Sequence, residues 1–384
     1  PKYGKVSMIN LPSWLFNTSY EKLRINIINN YTIDSLLHMG RGIFGIDWGS
    51  VAFCISIDKK EDSFLGVFFR LHKDNFQYIH AHHTATLFLK AKENHNFKYN
   101  FNSYKEIDTS EDSHLKNDNK NGQLIYYQSH QSEFKNIPNT PIAYWANEKV
   151  LSIFKQSPLL SSIAQTKLGM STNDNGRFLR EWYEVEKNNT CYNRQNNDNN
   201  IFKQKWFSYS KGGSTRKWYG NLLEVINWEN NGKEVKELAS SLYGSYTRTC
   251  KNSQHFFKSA ITWSLIMSGI PAFRFLPTGS VLGDAGPVCF SSNKQNFILA
   301  LLNSKIVSYF LPILNPTLNC STGVINSLPI EYVANNTLEE NVQQNIRISK
   351  SDWDAHETSW DFTSNELLSI NADTYMSIMN DYAD

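Results

Sequence analysis

The sequence predicts an α/β chain in which the back half of an open α/β sheet is followed by a larger α+β region. Three observations carry this. Apolar, β-branched segments of the first 71 residues fall in the order strand, helix, strand, strand, which suits a sheet whose last strands form an antiparallel pair. A long polar stretch follows, and the character of the chain changes again near Gln131. At 384 residues the chain is long for a single core. The boundaries read from these shifts are 1–71, a polar insertion at 72–130, an α+β region at 131–330 and an acidic segment at 331–384.

The opening Lys5-Val-Ser-Met-Ile-Asn-Leu-Pro12 reads as a short buried strand stopped by Pro12. A helix comes next, with Ser19 as N-cap and Tyr20, Leu23, Ile27 and Ile28 repeating on one face. Ile33 to Met39, Val51 to Ile57 and Gly66 to Leu71 read as strands. Between the first two lies Gly40-Arg41-Gly42-Ile43-Phe44-Gly45, a formal match to the dinucleotide pattern GxGxxG. That pattern needs a helix to begin at the glycines so that its N-terminus meets a pyrophosphate. Here Val51-Ala-Phe-Cys-Ile-Ser-Ile follows, so the glycines read as a wide loop carrying Ile43, Phe44 and Trp48. Residues 72–123 are rich in Asn, His, Lys and Asp and read as an insertion with a partly mobile tip at 116–122. His80, His82 and His83 read as solvated strand histidines rather than a metal site, since no carboxylate or cysteine stands at a ligand-like spacing.

Past residue 131, Ile137-Pro-Asn-Thr-Pro-Ile-Ala-Tyr-Trp145 is extended and Glu148 to Phe154 is helical. The stretch from Ser162 begins as strand and breaks into a loop at Gly169. Its tip, Ser171 to Arg177, offers hydroxyls, amides and an arginine, the groups that read base edges or hold phosphates; a loop capping the next element is the alternative. Residues 187–200 form a low-complexity polar loop with no assigned function. Val225 to Trp228 and Phe273 to Phe275 are strands, Ala260 to Met267 is core, and Pro277 to Asp284 is strand and turn. Asn296 to Leu314 reads as one helix with apolar residues at helical spacing, closed by Pro312.

Hydrophobic residues make up 40% and aromatics 14%, which excludes a disordered chain. No apolar run approaches the ~20 residues of a membrane helix, and no secretory leader is visible. Five scattered cysteines without a CxxC pair indicate neither a disulfide framework nor a zinc site and fit a reducing cytoplasm. The net charge of +2 hides an asymmetry: residues 201–275 hold eleven Lys/Arg against four Asp/Glu, and residues 331–384 hold two against eleven. Segregation of this kind suggests a basic surface for a polyanion and an acidic segment that packs elsewhere or stays clear of it; two ordinary surfaces of opposite sign are the alternative.

The most basic stretch opens on glycines and turns at once aromatic: Lys211-Gly212-Gly213-Ser214-Thr215-Arg216-Lys217-Trp218-Tyr219-Gly220. Glycines let a backbone approach a bulky anion, Lys211, Arg216 and Lys217 supply donors, and Trp218 and Tyr219 can stack. The plain alternative is a turn with solvated charges.

Residues Gly4 to Leu71, with Leu-Pro-Ser-Trp-Leu-Phe, Tyr-Glu-Lys-Leu-Arg and the glycine loop, resemble the later part of the catalytic domain of gamma-class adenine-N6 DNA methyltransferases, specifically the PglX enzymes of BREX phage-exclusion systems. Pro141-Ile-Ala-Tyr-Trp145, Gly169 to Leu179, Lys211 to Gly220, Ile261-Thr-Trp-Ser264, Leu302-Asn-Ser-Lys305, Leu314 to Asn319 and Trp353 to Phe362 are similar to successive blocks of the same family, in consistent order. The resemblance implies a partial, Rossmann-like methyltransferase sheet followed by a target-recognition domain at 131–330. It implies double-stranded DNA as partner, with Lys167, Ser171, Asn173, Arg177, Lys211, Gly212, Gly213, Arg216, Lys217, Trp218 and Tyr219 as DNA-facing residues. Lys211 and Lys217 would anchor phosphates, Arg216, Asn173 and Arg177 would meet phosphates or base edges, and Trp218 and Tyr219 would stack. Phe44 matches the position where relatives place an aromatic against the flipped base.

The early glycine-rich turn that binds S-adenosylmethionine in this family and its Asn-Pro-Pro-Tyr motif have no counterpart here, and Asn315-Pro316-Thr317 lacks the second proline and the aromatic. The expectation is a C-terminal portion of a longer enzyme. S-adenosylmethionine would then be bound by the full-length protein and not by this chain. The partners would be the missing N-terminal catalytic part and other phage-defence subunits, with no membrane. A non-catalytic specificity module that recruits a separate methyltransferase or nuclease subunit is the competing reading; a nuclease-linked enzyme would call for an Asp/Glu-x-Lys core that the chain does not show.

Overall fold

The β-branched and aromatic runs of the first 71 residues become strands of one sheet. The computed structural model describes residues 4–45, 48–73, 77–105, 112–192, 204–267 and 269–365. It separates into two units, residues 1–159 with 309–317 and 327–331, and residues 160–308 with 318–326 and 332–384. The architecture is mixed α/β with several sheets.

In the first unit, β1 (Lys5–Asn10), α1 (Glu21–Asn30), β2 (Thr32–Met39), β3 (Ser50–Ser56) and β4 (Gly66–Leu71) are followed by α2 (Ala81–Glu93), a small ribbon of β5 (Lys98–Tyr99) and β6 (Gln123–Leu124), β7 (Tyr126–Ser129) and α3 (Glu148–Gln156). The sheet runs β1-β3-β2-β4-β7, with β2 and β4 parallel and the other neighbours antiparallel. Alternation along β4 sends Phe68 to one face and Phe69 and Leu71 to the other, and each face carries its own core.

Three expectations change here. β1 is a strand but exposed along its whole length, because it lies at the end of the sheet and pairs with β3 alone. α1 starts at Glu21, Ser19 does not cap it, and its buried face is Arg24, Ile27 and Ile28 while Tyr20 and Leu23 are exposed. The stretch read as a polar insertion supplies core elements among its described residues: α2 buries Leu87 and Ala91 against Phe69 and Leu71, and β7 joins the sheet beside β4. The first unit runs to Leu159, and Phe134, Ile142 and Tyr144 fill its core against Phe68.

The second unit opens with β8 (Gln165–Lys167), α4 (Asn175–Phe178), β9 (Leu179–Glu181), β10 (Thr190–Cys191), β11 (Trp206–Ser210), β12 (Glu224–Asn227) and α5 (Glu229–Tyr243). It continues with β13 (Ala260–Trp263), β14 (Phe273–Leu276), β15 (Val281–Leu282) and β16 (Val288–Phe290). One sheet runs β10-β11-β12-β9 with β15 added to β11, and another runs β14-β13-β16-β8.

The single helix expected over 296–314 is two, α6 (Gln295–Leu302) and α7 (Lys305–Leu314), with Pro312 inside the second. The break is at Asn303, whose side chain accepts from Phe273 N at 3.1 Å and donates to Phe273 O at 2.9 Å. After α8 (Thr322–Asn326) comes α9 (Asn336–Asp354), capped by Asn335 and burying Val342, Ile346 and Trp353. Much of the low-complexity loop and the last part of the acidic segment lie outside the described residues.

Candidate nucleic-acid interface

Two of the segments singled out in the sequence, the loop after Gly169 and the glycine-opened loop, meet through a third. Met170 N donates to Leu282 O at 2.8 Å, Gly283 N donates to Ser210 O at 2.9 Å, and Asp284 N donates to Met170 O at 3.0 Å. The turn Leu282 to Gly286 is thus the bar that both loops grip. The glycines are required by this contact: a Cβ on Gly169 would sit 2.1 Å from Leu282 O, and one on Gly283 would sit 2.6 Å from Ser210 O.

In the first loop, Lys167 stands in β8 opposite Val288. Ser171 donates its backbone N–H to Thr249 O, and Asn173, at a φ of 63°, donates from its side chain to Thr249 Oγ1 at 3.1 Å. Arg177 lies in α4 above Phe178 and pairs with Glu234 of α5 at 3.2 Å. In the second loop, Lys211 pairs with Glu224 of β12 at 2.6 Å. Gly212 and Gly213 have φ values of 102° and 119°, and Ser264 Oγ donates to Gly213 O at 2.8 Å.

Arg216 pairs with Asp352 of α9 and lies over the Trp353 ring. Lys217 is half-buried and donates to Asn303 O at 3.1 Å. Trp218, at a φ of 72°, extends β14 by a one-residue bridge to Arg274: its N–H donates to Phe273 O at 2.9 Å, and Phe275 N donates to Trp218 O at 2.8 Å. Tyr219 is buried, which pushes its phenol up to about 12 despite the opposing charge of Lys350.

The loop therefore divides. Residues 213–215 are exposed and Lys211 and Arg216 half-buried, whereas Lys217 and Trp218 tie the loop to the end of α6 and to β14, and Tyr219 is buried under Lys350. Arg177, Lys211 and Arg216 each hold a carboxylate from a different element, α5, β12 and α9. The acidic segment expected to pack elsewhere reaches the basic loop itself, through Asp352 and Trp353.

In the first unit, Phe44 is 54% exposed in the loop between β2 and β3. A Cβ on Gly40 would meet Gln77 O at 2.4 Å and one on Gly42 would meet the Tyr78 ring at 2.7 Å, so the chain itself occupies the space at these two glycines, whereas Gly45 has nothing within 4 Å. A strand, β3, follows the loop. The histidines sit at the start of α2 rather than in a strand: His83 is buried 2.9 Å from Tyr104 OH, and His82 lies 3.2 Å from Asp112. Among the described residues no group of three or more His, Cys, Asp and Glu could hold a metal, and no single helix is long and apolar enough to cross a membrane.

No family model matches the chain. It is 32% identical over 372 residues, 95% of its length, to the adenine-specific methyltransferase PglX of Lacticaseibacillus casei strain Zhang. It is 31% identical over 370 residues, again 95%, to the adenine-specific methyltransferase BrxX of Escherichia coli O9:H4 strain HS. The chain is similar to PglX-type methyltransferases throughout. It spans 28% of PglX and 26% of BrxX, about a quarter of the length of these curated relatives. Among solved structures, the type IIL restriction-modification enzyme MmeI, in complex with DNA, shares the fold over 97% of this chain and 45% of its own, at a TM-score of 0.52 and 11% identity.

Within this PglX-like segment, sequence reasoning read Pro277 to Asp284 as strand and turn but missed the contacts of the Leu282 to Gly286 turn, of Asn303 and of Arg274. The turn carried a signal: Gly283 and Gly286 flank Asp284-Ala285 directly after an apolar strand. Asn303 carried a weaker one, as a polar residue at the middle of an otherwise apolar helical run.

Proposed function

We propose that this chain is the DNA-recognition portion of a site-specific, S-adenosylmethionine-dependent adenine-N6 DNA methyltransferase of a phage-defence or restriction-modification system. The observation that carries the reading is the likeness to two adenine-specific methyltransferases over 95% of the chain. The junction of the two loops on the Leu282 to Gly286 turn supports it, because a fixed loop pair is what reading a duplex requires. The DNA bound in the MmeI structure supports it as well. In this reading the sheet of the first unit is the late part of a Rossmann-like catalytic sheet and the second unit is the target-recognition domain.

Methylating adenine N6 takes the base out of the stack and holds it in line with the methyl donor. This chain holds and orients the duplex. Lys211 and Arg216 anchor phosphates and exchange their carboxylate partners for them, Arg177, Asn173, Ser171 and Lys167 line the adjoining loop, and Phe44 stacks on the extruded base. Donor binding and the Asn-Pro-Pro-Tyr chemistry lie in polypeptide outside this sequence, and the glycine loop at Gly40 does not substitute for them.

The test is duplex binding by fluorescence anisotropy across a salt series. Affinity falls steeply with salt, because each phosphate contact releases counterions. Charge reversal at Arg177 and Arg216 together removes most of the binding. Binding unchanged in that double variant would place the interface elsewhere. The isolated chain neither binds S-adenosylmethionine nor transfers a methyl group; transfer by the purified chain would overturn the division of labour.

A further inference from the structure

Among the described residues Arg274 has no counter-charge. It stands in β14 between Phe273 and Phe275 and is 1% exposed. Its Nη1 lies 3.5 Å from Arg216 O, and its Nε makes no hydrogen bond. Among the described residues no carboxylate pairs with it; the charge it feels is a second cation, Arg216. Burial and that neighbour pull its guanidinium down to about 10, which still leaves it charged at neutral pH. A buried guanidinium without a counter-charge is among the costliest groups a fold can hold, and an anion bound beside it would offset that cost.

Arg274 lines a cavity of about 120 Å³. The other polar walls are Gly213, Ser214, Thr215 and Ser264, which supply hydroxyls and a stretch of bare backbone. Ile266 and Ile270 stand at its rim, 65% and 68% exposed. The 264–267 strip that carries Ile266 is held in place by Cys320 N donating to Leu265 O and Met267 N donating to Leu318 O. The cavity therefore joins a cation, three hydroxyls and an apolar lip at the base of the glycine-opened loop.

We propose that this cavity is a phosphate site, in which Arg274 and the Thr215 hydroxyl, joined by the Ser214 and Ser264 hydroxyls as they leave Asn221 Oδ1 and Gly213 O, receive one backbone phosphate of the bound duplex while Ile266 and Ile270 lie against the adjoining sugar or base. This rests on the chain being a DNA-binding segment. A tetrahedral anion suits the volume and the donor set, and the phosphodiester is the anion that also brings an apolar sugar and base to the lip. The Arg274 charge then acts as a fixed anchor, and Lys211 and Arg216 act as exchangeable ones.

Two variants and two probes test this. Arg274→Gln removes the charge, while Ser214→Glu leaves Arg274 in place and sets a carboxylate beside it from an exposed position. In duplex binding, each variant lowers affinity roughly tenfold near physiological salt and makes the slope of log affinity against log salt shallower by about one. With inorganic phosphate followed by ³¹P line broadening and thermal shift, the wild-type chain responds and both variants do not. Ser214→Glu also raises the melting midpoint, because it supplies the missing counter-charge. If Arg274→Gln fails to fold, Ser214→Glu decides.

Wild-type slope and affinity in both variants would overturn the phosphate site and leave the DNA reading standing. A chain that responds to phosphate but binds no duplex would sink the DNA reading, and with it the assignment of the anion to DNA. Capture of acidic peptides in place of duplex would do the same.

Discussion

The two units each bury an arginine, and they treat it in opposite ways. Arg24 of α1 is fully buried, and its guanidinium donates to four backbone carbonyls: Thr140 O and Trp14 O at 2.8 Å, Asn17 O at 2.7 Å and Asn139 O at 2.6 Å. Arg274 is buried to the same degree and has one long contact to a carbonyl. Burial pulls both down to about 10. The difference teaches where charge is structural and where it is held for a partner: Arg24 closes the 137–142 stretch onto the opening of the chain, whereas Arg274 closes nothing.

The largest effect expected from this contrast is at Arg24. Replacement by Ala removes the donor of the Thr140, Trp14 and Asn139 carbonyls, while Asn17 O keeps Tyr20 N, at a cost of about 3–5 kcal/mol to the first unit, measured as a lowered midpoint in urea. A loss under about 1 kcal/mol would mean that water or neighbouring amides replace the guanidinium, and the contrast would collapse. Arg274→Met is the matched experiment. Removing an unpaired buried charge for an apolar side chain of similar length leaves stability unchanged or raises it by about 1–2 kcal/mol. A loss as large as that at Arg24 would show that Arg274 is structural after all.

Arg24 also shows why part of this fold was not legible. Strands β2, β3 and β4 announced themselves by β-branched and aromatic runs, and Gly66 to Leu71 is placed to the residue. The stripe of α1 did not, because a helix read by hydrophobic spacing puts Leu23 inward and Arg24 outward, and two of the four carbonyls that reverse this come from more than 100 residues away. The same blindness hid α2, where polar composition masked a stripe of His83, Leu87 and Ala91, and it hid the pairing of Asp352 with Arg216, 136 residues apart. In the candidate site glycines and charge marked the two loops, but the bond from Lys217 to Asn303 O and the burial of Tyr219 left no trace in the sequence, because their surroundings come from elements far along the chain.

A smaller effect extends the contrast to an anion. Burial by itself would raise the Asp34 carboxyl, yet hydrogen bonds from Lys60 and Ser56 and the charges of Lys60 and Lys5 outweigh it, so the carboxyl lies below the usual carboxylate range. Asp34 is therefore a satisfied charge of the Arg24 kind. A depressed carboxylate contributes stability that is present above its unfolded pKa and is lost as pH falls through its folded one. Stability of the first unit accordingly declines with acid below the ordinary carboxylate range, and Asp34→Asn flattens that limb by about 1 kcal/mol or less. An acid limb of the same slope in the variant would remove Asp34 from the satisfied class.

The smallest effect on stability, and the most informative for function, is at the pairs that are neither buried nor unpaired. Arg216 keeps its place over Trp353 whether or not Asp352 carries charge, since the ring and the α9 backbone hold the stack. Asp352→Asn therefore changes stability by less than about 1 kcal/mol, in the range of exposed ion pairs. It also frees the Arg216 guanidinium from the carboxylate that competes with a phosphate, so duplex affinity rises severalfold at low salt and the gain shrinks as salt screens the contact. The same logic applies more weakly to Glu234→Gln beside Arg177, where both side chains are already about half exposed. A fall in affinity in Asp352→Asn would mean that the carboxylate positions Arg216 for DNA rather than competing with it, and α9 would then be part of the reading surface.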